Sequence, residues 1–199
     1  MARTYGSFSQ HTAPKVFNSA LRLFATHGYA AVSMRQIARD VGVQVGTIYN
    51  YVPDKQFLLF KIISDHMESL LAARELESQV GENEQQIQAF IKWHIDFHLN
   101  KRDQIIVASM ELRNLSEANL KFIEGQRRQY ENKLQKILKA GSDAGIFCIG
   151  DARMTTLALI GMLKEIGNWY RKEDRIDAPK IKVIYQEIVE RFLGVRKYR

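Results

Sequence analysis

An all-α fold follows from three features of the 199-residue sequence. Proline occurs only at positions 14, 53 and 179, which leaves a 125-residue stretch whose only strong breakers are glycines. Leu, Ile, Ala, Glu, Lys, Gln and Arg dominate, and most of these are good helix formers. No segment alternates apolar and polar residues at period two between turn dipeptides, the pattern a half-buried strand requires.

The first helix is expected to start near Pro14, a residue tolerated in a first turn, and to stop at Gly28, with Phe17, Ala20, Leu21 and Phe24 on one face. A second opens at Ser33, whose hydroxyl caps it while Gln36 reaches back in an S-x-x-Q box, and Gly42 ends it. A third runs from about Gln44 to Tyr51, because Pro53 forbids continuation. Asp54 then caps a long fourth helix that passes Phe57, Phe60, Lys61 and Met67 toward Gln79, and Gly81 separates it from the rest of the chain. Further helices are expected near 84–100, 103–113, 117–141, 151–171 and 178–193. The chain thus divides into an N-terminal three-helix bundle, residues 1–62, and a helical body, residues 63–199.

With 46% apolar and 26% charged residues the composition is globular, which excludes a disordered or collagen-like chain. Counting glycine, no apolar run exceeds seven residues, the length of that from Leu157 to Leu163, against the roughly 18–20 that a membrane helix needs. No apolar stretch in the first thirty residues marks the chain for secretion. The single cysteine, Cys148, supports neither an internal disulfide nor a Cys-pair metal site. A cytoplasmic location is expected. The net charge of +7 points to an anionic partner, and it is unevenly spread: residues 1–60 hold six basic and two acidic side chains, and residues 1–39 no acid at all.

Residues 34–53, MRQIARDVGVQVGTIYNYVP, have the layout of a helix-turn-helix. Ala38 is small where the two helices meet, Gly42 permits the turn, and Ile37, Val41, Val43, Ile48 and Tyr51 are the apolar positions that lock the pair against the first helix. The segment from residue 15 to about 62 resembles the TetR family of bacterial transcriptional regulators. It carries that family's ALxLFxxxGYxxxSxxxIAxxxGV run, then GTxYxY and a P-x-K step. The resemblance implies a homodimer with an N-terminal head that reads double-stranded operator DNA and a C-terminal body that senses a small molecule and dimerises.

By the same resemblance Thr47, Tyr49 and Lys55 hold phosphates, with Ser33 and Arg35 doing likewise from the start of the second helix. Gln44, Val45, Gly46 and Asn50 face the major groove. The family usually has Ser or Thr, then Lys or Arg, before the Gly-Thr pair, and this chain has Gln44 and Val45. One cation is lost there, while Gln44 gains the ability to hydrogen-bond an adenine edge. At Gly46 the missing side chain lets the helix approach the duplex closely.

The body from WHIDFHLNKRDQ onward is similar to a TetR subgroup that senses acyl-CoA thioesters. A thioester requires a long apolar slot, for which Trp93, Phe97, Met110, Phe122, Met162, Ile166 and Trp169 are the candidates. Its phosphates need cations, with Arg113, Arg127, Arg128 and Arg171 available. The alternative for each apolar residue is plain core packing, and for the arginines a solvated face or pairing with Glu111, Glu124 and Glu131. The last two helices carry Leu157, Leu159, Ile160, Leu163 and Ile166, then Ile181, Ile184, Tyr185, Ile188, Val189 and Phe192, at spacings that suit either a dimeric four-helix bundle or burial within the chain's own domain.

The function expected is a ligand-responsive regulator, a repressor released from a palindromic operator by a bulky, mostly apolar effector, with an acyl-CoA thioester first among candidates. No enzyme signature such as G-x-S-x-G, G-x-x-x-x-G-K or H-E-x-x-H is present, and neither catalysis nor a cofactor is expected. The rival readings are a helical metal enzyme and a protein-binding scaffold. The first would use His94 and His98, four apart on one helix, with Asp96, Glu111 or His66 as third ligand.

Overall fold

The computed structural model describes residues 7–76, 81–170 and 176–195. Among them the chain is all-α: α1 Ser7–His27, α2 Met34–Val41, α3 Val45–Ile48, α4 Lys55–Leu76, α5 Asn83–Asn100, α6 Arg102–Met110, α7 Glu117–Asp143, α8 Ala152–Lys164, α9 Ile166–Trp169 and α10 Ala178–Phe192, with a short 3-10 turn at Leu112–Asn114. No described helix is long and apolar enough to cross a membrane. The helices group into two compact units, one from the described parts of Met1–Glu68 and Asp103–Glu124, the other from those of Ser69–Arg102 and Gly125–Arg199.

In the first unit α1 begins seven residues earlier than Pro14 suggests, and the proline lies inside the helix. A proline removes one N–H and one i to i−4 bond without forbidding helix on its N-terminal side, and burial of Thr12 alongside Val16 and Ala20 favours the longer form. The second helix follows its local signals closely. Gln36 N donates to Ser33 Oγ at 3.2 Å while Ser33 N donates to Gln36 Oε1 at 2.7 Å. Gly42, at φ +79°, takes the left-handed conformation that closes the helix. Asp40, near the end of α2, is tied back to α1 by Arg22 and by Ser19 Oγ at 2.7 Å. Those two partners hold its carboxyl below the usual range. Asp54 Oδ1 accepts from Phe57 N at 2.7 Å and caps α4 as expected, although the approach of that helix to Gln79 lies outside the described residues.

Replacing Ser33 with alanine removes the cap and leaves a first-turn N–H without its partner. We expect this to cost about 1 kcal/mol, read as a lower urea midpoint at unchanged m-value.

In the second unit α5 packs against α8, α9 and α10, with Ile87, Phe90, Ile91 and Ile95 inside. Tyr130, Leu134 and Leu138 of α7 and Leu159 and Leu163 of α8 are also buried. Lys182 pairs with Asp96, and Gln88 Nε2 donates to Glu190 Oε1 at 3.0 Å, so polar rims on α5 and α10 fix their register. Gly141 is required by close approach: a Cβ there would lie 2.1 Å from the Phe147 ring. The helix expected over 151–171 is divided at Glu165 into α8 and α9. Gly167 weakens the helix locally, and its backbone is buried where the short α9 packs against α5.

Candidate nucleic-acid interface

Residues 44–52 form a short platform whose two sides differ in chemistry. Ile48 and Val52 face inward and are fully buried, together with Ile37 and Ala38 of α2. Burying an isoleucine side chain of this kind stabilises by about 1.5–3 kcal/mol, which is what holds so short a helix in place. Val41, Val43 and Tyr51, expected to lock the same junction, are half-buried at its edge. α3 itself is shorter than the 44–51 read from sequence, ending at Ile48 with turns at 49–51.

The outward side carries the residues assigned to DNA. Gln44, Gly46 and Asn50 are exposed, Tyr49 is 52% exposed, and Val45 and Thr47 are half-buried between them. Gln44 stands at the N-cap position without a side-chain cap hydrogen bond, so its carboxamide is not needed by the helix. A Cβ built on Gly46 meets nothing within 4 Å among the described residues, so their packing demands no glycine there. Arg35 is exposed on the first turn of α2.

Two expected phosphate ligands are placed differently from what the resemblance implies. Ser33 Oγ donates to Gln36 Oε1 at 2.9 Å, and its backbone N–H ends on the same oxygen, so both of its donors are engaged in the capping box. A phosphate needs donors, and Ser33 acts here as a cap. Lys55 Nζ donates to the carbonyls of Tyr29 and Val32 at 2.8 and 2.7 Å and lies 4.0 Å from the Tyr29 ring centroid. Burial lowers the pKa of this ammonium, with Glu111 acting in the opposite sense. Lys55 thus ties the α1–α2 loop to the start of α4, with one N–H left for a phosphate.

Beside it lies a junction that sequence reasoning missed. Gln56 Nε2 donates to the Asn114 carbonyl at 2.7 Å, Ser116 N donates to Gln56 Oε1 at 3.3 Å, and Asn114 Nδ2 donates to buried Glu111 at 2.6 Å. Partners some 60 residues apart leave no periodic trace in a sequence.

The residues assigned to an effector divide between the two units. Met110, Arg113 and Phe122 belong to the first and are exposed, Phe122 meeting Phe60 edge-on at 5.6 Å. Trp93, Phe97, Met162, Ile166 and Trp169 belong to the second. There Trp93 and Phe97 are ring neighbours at 5.6 Å, Ile166 is fully buried, Met162 half-buried and Trp169 exposed. Of the arginines, Arg128 is exposed, Arg127 half-buried, and Arg171 lies outside the described residues. Glu131 pairs with Arg153 at 2.9 Å, an arginine not among the partners expected for it.

His94 and His98 are buried and stacked, centroids 3.9 Å apart at 11°. His98 Nδ1 bonds the His94 carbonyl at 2.9 Å, and His94 Nδ1 meets the Tyr130 hydroxyl. Stacked rings direct their nitrogens along parallel lines, whereas a chelating pair must converge on one ion. Asp96 is engaged by Lys182, and His66 and Glu111 belong to the first unit. Among the described residues no three His, Cys, Asp or Glu side chains are grouped to hold a metal.

Comparison with known proteins bears on both units. Residues 16–62 match the family model described as bacterial regulatory proteins, tetR family, and residues 80–193 match that of the tetracyclin repressor-like C-terminal domain. The chain is 24% identical over 168 residues to the fatty acid metabolism regulator protein of Bacillus subtilis (strain 168), covering 82% of this chain and 86% of that one. A regulatory protein in the tetR family from Rhodococcus RHA1 superposes with a TM-score of 0.87 at 25% identity, covering 94% of this chain and 99% of that one. AibR, solved with isovaleryl coenzyme A and operator DNA, superposes with a TM-score of 0.83 at 19% identity, covering 94% and 100%.

Proposed function

Because the chain belongs to the TetR family of transcriptional regulators, we propose that it is a ligand-gated repressor that binds a palindromic operator as a homodimer and leaves it when a bulky, mostly apolar effector enters the body. The observation that carries the DNA-binding reading is the two-sided platform at 44–52, with Ile48 sealed beneath and Gln44, Gly46, Tyr49 and Asn50 presented outward. Thr47 and Tyr49 fix the head on phosphates, while Gln44, Val45, Gly46 and Asn50 face the major groove.

Two heads on one dimer must meet successive major grooves roughly 34 Å apart, so a change in their separation weakens both contacts together. An effector releases DNA only by binding the displaced arrangement better, and by no more than that difference. For the effector we favour an acyl-CoA thioester. Similarity over 82% of the chain to a protein named for fatty acid metabolism supports this choice.

The test is binding of the purified protein to its own upstream intergenic DNA at two salt concentrations, against scrambled competitor, with and without a panel of acyl-CoAs. Specific binding that weakens with salt and is reversed by one thioester is the expected result. Binding that no thioester reverses would remove the effector assignment alone. Absence of specific binding would remove the regulator. Tyr49→Phe, which deletes one hydroxyl and leaves the exposed ring, is expected to lower affinity about tenfold on operator and scrambled DNA alike, the mark of a phosphate contact.

A further inference from the structure

The core of the second unit contains more hydrogen-bonding chemistry than folding requires. Gln126 is only 8% exposed, and its carbonyl oxygen Oε1 has no hydrogen-bond donor among the described residues. One helical turn on along α7 lies buried Tyr130, whose hydroxyl meets His94 Nδ1. The His94–His98 stack is ringed by Phe90, Trp93 and Phe97, so polar atoms and aromatic faces occupy one region. Burial, assisted by the charge on Lys164, pushes the pKa of His98 down to about 4, and its imidazole is neutral at pH 7.

A buried acceptor without a donor destabilises a fold by about 1–3 kcal/mol, and a leucine or methionine at position 126 would avoid that cost. The DNA-binding role makes no use of the group.

We propose that Gln126, with Tyr130 and the stacked His94 and His98, forms a hydrogen-bonding subsite inside the second unit that receives a hydroxyl group borne on an otherwise apolar effector. The proposal rests on the reading that the body holds a small apolar molecule. The chemistry of Oε1 selects the class. A carbonyl or carboxylate has no proton to give and would set oxygen against oxygen, while an ammonium would lose its hydration in an apolar interior. A hydroxyl supplies one donor with little bulk. Sites built around a substrate hydroxyl discriminate strongly against analogues lacking it, because the protein group is then left unpaired.

The experiment compares wild type with Gln126→Met, close in shape, and with Gln126→Leu. Ligands are offered as matched pairs in calorimetry: decanoyl-CoA against its 3-hydroxy and 10-hydroxy forms, and 1-decanol against its methyl ether. We expect wild type to bind at least one hydroxylated member tenfold or more tightly than its partner, and both variants to lose that preference while still binding the plain member. Without ligand, Gln126→Met is expected to raise Tm by about 2–4 °C, since an unpaired acceptor is removed.

A preference for 1-decanol over its ether with no thioester bound would sustain the subsite and remove the acyl-CoA reading. Failure to discriminate any pair, discrimination that survives both variants, or a fall in Tm in both would overturn the subsite.

Discussion

Replacing Leu157 and Phe192 together with glutamate is expected to yield a folded monomer whose operator affinity is lower by about 10²–10⁴-fold, the factor lost when two linked contacts become one. The two side chains are 39% and 47% exposed in the isolated chain, so charge there should not disturb the chain's own core. They lie on apolar stripes left exposed among the described residues. On α8, Met154, Leu157, Ala158 and Gly161 are all exposed at i, i+3, i+4 and i+7. On α10, Val183, Ile188 and Phe192 are exposed as well. A Cβ at Gly161 would meet nothing within 4 Å among the described residues, so its smallness serves no contact there and suits close approach of a second helix. Analytical ultracentrifugation and operator titration on the same variant give the answer. A variant that remains dimeric would move the interface elsewhere, and a monomer that binds as tightly as wild type would remove the need for two heads.

That stripe shows where sequence reading stopped. Leu157, Leu159, Leu163, Ile181, Ile188, Val189 and Phe192 share one helical period, and periodicity alone does not say which face looks inward. Packing separates them: Leu159, Leu163, Ile181 and Val189 are buried, whereas Leu157, Ile188 and Phe192 are not. The S-x-x-Q box at Ser33 was legible because both partners lie within one helical turn, and Gly42 and Asp54 were legible for the same reason. Lys55 shows the converse. The family resemblance implies a phosphate ligand at this position, but the carbonyls it serves are 23 and 26 residues away and visible only after folding. The upstream extension of α1 past Pro14 and the break at Glu165 likewise depend on burial that no local pattern announces. For His94 and His98, i and i+4 spacing is common to chelation and to stacking, and the side-chain orientations decide.

Acidification from pH 7 to 4 is expected to remove about 3 kcal/mol of stability through His98 alone. Its imidazole titrates near 4 in the folded chain and near 6.5 when exposed, and each unit of difference corresponds to about 1.36 kcal/mol. Between those values the unfolded chain binds the proton and the folded chain does not, so stability falls as pH drops through 6.5 and levels out below about 4. The cause is burial first, with Lys164 adding to it, while the His94 carbonyl favours the protonated ring and only partly offsets them. Urea unfolding followed by tryptophan fluorescence at pH 7, 6, 5 and 4 measures the slope. His98→Gln retains a donor for the His94 carbonyl and has no proton to take up, so its stability should fall less steeply than that of wild type over this range. The Asp40 contribution lies in a different window, since a carboxyl held below its ordinary value of 3.8 loses its stabilisation only as pH falls further. Parallel decline of wild type and His98→Gln between pH 6.5 and 4 would mean that the imidazole is solvated in the folded chain, which its burial and its stacking on His94 argue against.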